Sequence, residues 1–248
     1  MDFSGFEFSQ NALNTFKNCP KKFWYKYEKG LNWKREDDEE YYSSLKYGRE
    51  FHLMCERYFS GIPVGEFIGN KTYEKFDEWL EKVKKVVPIY ENKEYFPEYG
   101  LSIKIDDENR LTAKYDLAVI YKENEKLYID IWDWKTENRK LKYSDLENRM
   151  QSIVYMYIAY KAIPKLYEEE KVEVNMYYYQ PEYYLEPIKI SYNEEKFKKD
   201  EEKIKKLIKE IKESNFKEKN IKMCKYCEFN MLCNKETVDE RAYYDEEY

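Results

Sequence analysis

The chain has 248 residues, enough to bury the core of one large domain, and its apolar content of 42% with 28 Tyr but only 7 Gly and 7 Pro excludes a disordered or collagen-like polymer. No run approaches the roughly 20 apolar residues that span a bilayer, and residues 1–10 lack the basic-then-apolar order of a signal peptide, so a cytoplasmic protein with no membrane partner is expected. A net charge of -6 excludes a chain that grips nucleic acid through bulk charge; a nucleic-acid enzyme with this sequence must concentrate its Lys and Arg locally.

Residues 10–27 place Leu13, Phe16, Phe23 and Tyr27 at helical intervals, with Ser9 as N-cap and Pro20 opening a second turn; Cys19 falls at the break. After an acidic loop at 35–40, residues 44–59 carry a stripe of Leu45, Phe51, Met54, Cys55 and Tyr58, with His52 on the same helix. Gly and Pro punctuate 61–69, and a further helix is predicted over 72–87. Between 94 and 133 the pattern becomes alternating and predicts three strands. In the middle one Leu111, Ala113, Tyr115, Leu117 and Val119 should share one face, and Thr112, Lys114, Asp116, Ala118 and Ile120 the other. A polar turn at 122–126, containing Asn124, joins it to a strand over 127–134 as a hairpin. A helix over 143–162 follows, with Leu146, Met150, Ile153, Val154, Tyr157 and Ile158 on its apolar side. Strands over 172–180 and 184–190 precede a helix over 194–212 that buries Phe197, Ile204, Leu207, Ile208 and Ile211, and the acidic tail 236–248 is expected to be loose. This order predicts an α/β fold, a mixed central sheet flanked by helices, in a single domain spanning 1–248 with its core at 44–192.

Leu127, Ile129, Ile131, Asp133 and Lys135 fall on one strand face, so an apolar face ends in an acid and a base about 7 Å apart. Such a pair can address one phosphodiester, the carboxylate holding a divalent cation and the ammonium facing the attacking water or the phosphate. Asp116, from the neighbouring strand, supplies a second carboxylate for a hard cation such as Mg²⁺. Taken alone, Asp133 and Lys135 would be an ordinary strand-end ion pair. The five cysteines are an odd set without an export signal, which disfavours a disulfide framework. Cys224, Cys227 and Cys233 form a C-x-x-C-x₅-C that can present three thiolates to one centre, with Cys19 as the fourth, while Cys55 inside its helix reads as core. Four thiolates suit either a [4Fe-4S] cluster or Zn²⁺.

Asp116 followed by Asp133, Trp134, Lys135 and Thr136 resembles the active-site strands of the PD-(D/E)XK nuclease superfamily. Gln151 and Tyr155, four residues apart, and Gly48-x-x-x-His52 upstream resemble its RecB-like members. The cysteine layout is similar to the iron-sulfur staple of that branch, which includes the AddB nuclease domain and CRISPR-associated RecB-like exonucleases. The resemblance implies a restriction-endonuclease-like core with Asp116, Asp133, Lys135, Gln151 and Tyr155 at the catalytic centre. It implies Mg²⁺ or Mn²⁺ held by His52, Asp116, Asp133 and the Trp134 carbonyl. It favours [4Fe-4S] over zinc on Cys19, Cys224, Cys227 and Cys233, joining segments 9–30 and 215–235. Ala113 stands where the family commonly has Gly, three positions before the first Asp. The implied function is a divalent-metal-dependent DNA exonuclease preferring single strands or free ends, serving DNA repair, recombination or CRISPR adaptation beside a helicase or an integrase. The rival from another class is a non-catalytic DNA-binding or scaffold subunit. Lys17, Lys21 and Lys22 with Phe23, Trp24 and Tyr25 read either as a single-strand grip or as a solvated face beside a core face.

Overall fold

In the computed structural model, which describes residues 2–32, 39–64 and 74–236, the strand-forming stretches gather into one mixed sheet. A short strand, β1 (Glu7–Ser9), leads into α1 (Gln10–Asn18), where the Ser9 hydroxyl accepts from the Ala12 N–H at 3.2 Å. Cys19 then breaks the helix and caps the next, its Sγ accepting from the Lys22 N–H at 3.4 Å. That helix, α2 (Pro20–Phe23), continues as a π-turn over Trp24–Glu28. The following helix, α3 (Glu39–Phe59), starts five residues ahead of expectation, and α4 (Glu74–Val86) replaces the helix expected over 72–87. The acidic loop before α3, the Leu45 side chain, most of the punctuated segment after residue 64 and the tail beyond residue 236 lie outside the described residues.

The long strand β3 (Arg110–Glu123) organises the sheet. It pairs antiparallel with β2 (Glu94–Lys104) along one edge, and along the other with β1 in parallel and β4 (Lys126–Trp134) antiparallel. The β3–β4 turn sets Asn124 and Glu125 at φ 49° and 57°, the two left-handed central residues of a type I′ hairpin. Beyond β4 lie β5 (Val172–Tyr179), parallel to it, and β6 (Ile188–Tyr192), antiparallel to β5. β6 begins later than the expected residue 184, because the Tyr183 and Tyr184 N–H groups turn back onto the Gln180 carbonyl.

The helix expected over 143–162 is two helices, α5 (Tyr143–Leu146) and α6 (Met150–Leu166), with Arg149 extended between them. Side-chain bonds accompany the break, where the Arg149 N–H closes a tight turn onto the Leu146 carbonyl at 3.1 Å. The Arg149 guanidinium donates to the Asp145 carbonyl at 3.1 Å and the Ser152 hydroxyl to the Leu146 carbonyl at 2.6 Å, the two acceptors a continuous helix would offer to backbone N–H groups. The last long helix, α7 (Glu194–Glu213), is capped by Asn193 and buries Ile204, Ile208 and Ile211, with Phe197 and Leu207 half-buried. Two short helices, α8 (Ile221–Cys224) and α9 (Asn230–Asn234), end the described chain. No helix among the described residues is long and apolar enough to cross a membrane.

Two cores sandwich the sheet. One lies under α1, α6 and α7; the other, under α3 and α4, contains Phe51, Met54, Cys55, Phe76, Trp79 and Trp134. β4 follows its expected alternation, with Leu127, Ile129 and Ile131 in the first core and Trp132 and Trp134 in the second. β3 does not. Leu111, Ala113 and Tyr115 enter the first core, but Leu117 and Val119 enter the second, and Ala118 and Ile120 take over the first. β2 switches at the same level: Tyr99, Leu101 and Ile103 pack on the first core, then Phe96, with Tyr95 on the second. Pairing resumes in register on either side (Tyr99 with Tyr115, Pro97 with Leu117), and the step between is Glu98, at φ 51°, facing Asp116. The strict two-residue alternation expected for β3 therefore fails at Asp116, through a kink shared by both strands.

Candidate active site

The kink frees Asp116 from the alternation and turns its carboxylate toward the end of β4. Its Oδ2 accepts from the Trp134 N–H at 2.8 Å, while Oδ1 lies 3.3 Å from Nδ1 of His52. The other ring nitrogen of His52 is 3.0 Å from the Trp134 carbonyl, so the main chain of Trp134 is engaged on both sides. α3 can bring His52 this close because residue 48 has no side chain: a Cβ on Gly48 would stand 3.1 Å from Oγ1 of Thr136. Glu98 completes the group. Ligand atoms of His52, Glu98 and Asp116 all lie within 4.8 Å of one another. Burial would lower the His52 pKa, but the charge of Asp116, its hydrogen bond and the charge of Asp133 outweigh that and raise it to about 9.

Asp133 and Lys135 end the apolar face of β4 and are both buried. The lysine Nζ stands 3.2 Å from Asp133 Oδ2, and Gln151, one residue inside the start of α6, donates to Asp133 Oδ1 at 2.5 Å. Tyr178, which shares a 2.7 Å hydrogen bond with Ser152, reaches the side-chain amide Oε1 of Gln151 at 3.5 Å. Tyr155, one turn after Gln151, packs edge-on against Tyr115 at 5.2 Å and hydrogen-bonds Gln151. Burial, followed by the charges of Asp133 and Asp116, pushes its phenol well above the usual range, so it is a neutral donor.

The structure thus gathers His52, Asp116, Asp133, Trp134, Lys135, Gln151 and Tyr155 at one end of the β3–β4 hairpin. It separates them into two adjoining sets, with Asp133 outside the compact His52, Glu98, Asp116 group. Sequence reasoning missed Glu98. The signal was there as a phase slip in β2, where the apolar series passes from Phe96 to the odd positions Tyr99, Leu101 and Ile103 with Glu98 at the slip.

Cys19, at the C-terminal end of α1, lies in a turn that meets the segment around 216–228. The Lys21 N–H donates to the Glu218 carbonyl at 3.0 Å, Lys22 pairs with Glu228 at 2.8 Å, and Phe23 stacks on Phe216 at 5.7 Å. Cys19 and Cys227 are near enough to act on each other electrostatically, and Tyr25 hydrogen-bonds Cys233. Burial, in the first place, pushes the Cys227 thiol up to about 12. Cys224 Sγ donates to the Asn220 carbonyl at 3.5 Å, Cys55 is fully buried in the second core, and none of the five cysteines forms a disulfide.

A mixed sheet whose central hairpin ends in two aspartates and a lysine, beside a histidine and a further carboxylate, defines a nuclease core. The chain belongs to the PD-(D/E)XK nuclease superfamily, whose family model matches residues 7–234. Among solved structures it is similar to a Eubacterium rectale protein described as "Putative exonuclease", with TM-score 0.57 and 10% identity over 90% of this chain and 88% of the other. It is also similar to SSO0001, with TM-score 0.45 and 15% identity over 92% of this chain and 85% of the other. No curated protein matches the chain.

Proposed function

We propose that the chain is a divalent-metal-dependent deoxyribonuclease of the RecB-like branch, an exonuclease that works on single-stranded or free DNA ends in the cytoplasm. The observation that carries this reading is the meeting of His52, Glu98 and Asp116 within 4.8 Å beside the buried Asp133 and Lys135 pair. Two carboxylates and an imidazole suit Mn²⁺ as well as Mg²⁺. Glu98, Asp116 and His52, the last on giving up its proton, would hold the ion, with Asp133 and the Trp134 carbonyl nearby. When bound, it polarises a phosphoryl oxygen and supplies water of lowered pKa. Lys135, held by Asp133, would orient the attacking water and stabilise charge developing on the phosphate. Gln151 fixes the Asp133 carboxylate, and the neutral Tyr155 phenol offers a proton to a phosphate oxygen.

Cys19, Cys224, Cys227 and Cys233 would hold the [4Fe-4S] cluster that the staple resemblance implies, with Zn²⁺ as the alternative. A helicase or a CRISPR integrase is the partner that would supply free ends or use trimmed ones.

The test is cleavage of end-labelled single-stranded and duplex DNA by anaerobically purified protein in Mg²⁺, Mn²⁺ or EDTA. The expected result is metal-dependent cutting, faster on single strands, reduced about 100-fold or more in Asp133→Ala and Lys135→Ala. No cutting of any DNA by the cluster-loaded wild type overturns the reading and leaves the scaffold role.

A further inference from the structure

α1 has two faces. Ala12, Leu13 and Phe16 are buried, while Gln10, Asn11, Asn14, Lys17 and Asn18 recur at helical spacing on the other side. On an isolated surface such a polar stripe would be no more than a solvated face. Here it forms one wall of a cavity of about 370 Å³. The opposite wall is the corner between α5 and α6, with Arg139, Asn148 and Arg149, and the first turn of α6 itself. The leading N–H groups of any helix lack intrahelical acceptors, and Arg149 at this cap makes no side-chain bond to them.

In a chain of net charge -6, this cavity is lined by three cations, Lys17, Arg139 and Arg149, against one carboxylate, Asp145. Arg149 is held in place by the Asp145 carbonyl and by Glu137 at 3.7 Å, which presets its planar fork. The cavity also touches the chemistry directly: Gln151 lines it and donates to Asp133 at 2.5 Å. Whatever fills the cavity therefore sits one side chain from the Asp133 and Lys135 pair. The volume lies within the range of small-ligand sites, about 300–1,000 Å³, and is too small for a folded partner. Guanidinium and ammonium groups match phosphate oxygens, and side-chain amides match the donor and acceptor edges of bases.

We infer that this cavity is the subsite for the nucleotide adjoining the scissile phosphodiester of a single DNA strand. Lys17, Arg139 and the first turn of α6 hold its phosphate, and the α1 amides meet its base. The inference rests on the nuclease reading above and adds to it the path by which the strand reaches Asp133.

The test measures binding of a fluorescent single-stranded oligonucleotide to the full chain in EDTA, in a Lys135→Ala background that removes cleavage. Adding Lys17→Ala should flatten the slope of log affinity against log salt by about 0.7, one phosphate contact on a single strand. Adding Asn14→Ala should weaken binding roughly fivefold, the loss of about one hydrogen bond. Lys206→Ala, on the exposed side of α7, should change neither, and circular dichroism should show every variant folded. The subsite is overturned if the chain does not bind the strand, or if Lys17→Ala keeps the slope and Asn14→Ala keeps the affinity. Expected binding responses with a wild type that does not cut in Mn²⁺ would sink the nuclease reading and leave the cavity as a strand-binding site with no scissile bond beside it. Metal-dependent cutting with unresponsive binding variants would do the reverse.

Discussion

Replacing Glu98 separates what the kink costs the fold from what it gives the site. Glu98 sits at φ 51°, where a residue with a Cβ carries about 1–2 kcal/mol of strain that glycine does not. Glycine takes back about 0.5–1 kcal/mol through the larger freedom of the unfolded chain. The ion pair with Lys114, itself 66% exposed, adds well under about 1 kcal/mol. The net gain of Glu98→Gly over Glu98→Gln is then about 0.5–1 kcal/mol, or about 1–4 °C for a chain of this length. The glutamine variant is the control, since it removes the charge beside Asp116 and keeps the strained backbone. Thermal melts in EDTA read the backbone effect. Melts in increasing Mn²⁺ read the ligand effect, because an ion that binds only the folded state raises stability with concentration. Both variants should lose most of the Mn²⁺-dependent rise that the wild type shows. A glycine variant that melts at or below the glutamine variant would refute the strain argument, and one that keeps the full Mn²⁺ response would remove Glu98 from the site.

Glu125→Gly should stabilise the β3–β4 hairpin by about 0.5–1 kcal/mol, because Glu125 occupies a left-handed turn position, and should leave cleavage unchanged; urea titration measures it. Glu201, bonded by Lys161 first and also by Tyr157 and Lys205, has its carboxyl held down to about 2. A depressed carboxylate stabilises above its unfolded value of about 4.3 and loses that contribution as pH falls toward about 2, so the melting difference between wild type and Glu201→Gln should be full at pH 6 and shrink below pH 4. Cys19→Ser should lower bound iron and the melting temperature of anaerobically prepared protein, and iron content equal to wild type would exclude Cys19 as a ligand.

The parts of this structure that sequence reveals are those written in one segment. The face of β4 that runs Leu127, Ile129, Ile131 and then Asp133 and Lys135 needs only alternation to be read, and the structure keeps it. The break between α5 and α6 comes with Ser152 and Arg149 turning back onto carbonyls that a helix would otherwise use, and periodicity does not encode that choice. The kink is harder again, because it belongs to β2 and β3 together; Asp116 was visible as an acid, but the turn of its carboxylate toward Trp134 and His52 comes with a step shared by the two strands. The cavity beside Gln151 was invisible for the same reason. Its two walls are far apart in the chain, and each alone is an ordinary polar surface.

The contact between the Cys19 turn and Glu218 has a consequence for the newborn chain. About 200 residues separate the two, so at usual rates of synthesis of about 5–20 residues per second the Cys19 turn waits roughly 10–40 s for Glu218 to appear. Every strand and helix that carries Asp116, Asp133 and Lys135 is made within that interval. The order of translation therefore lets the hairpin and its carboxylates assemble before the Glu218 segment fastens onto the Cys19 turn, leaving that early turn uncovered in the meantime.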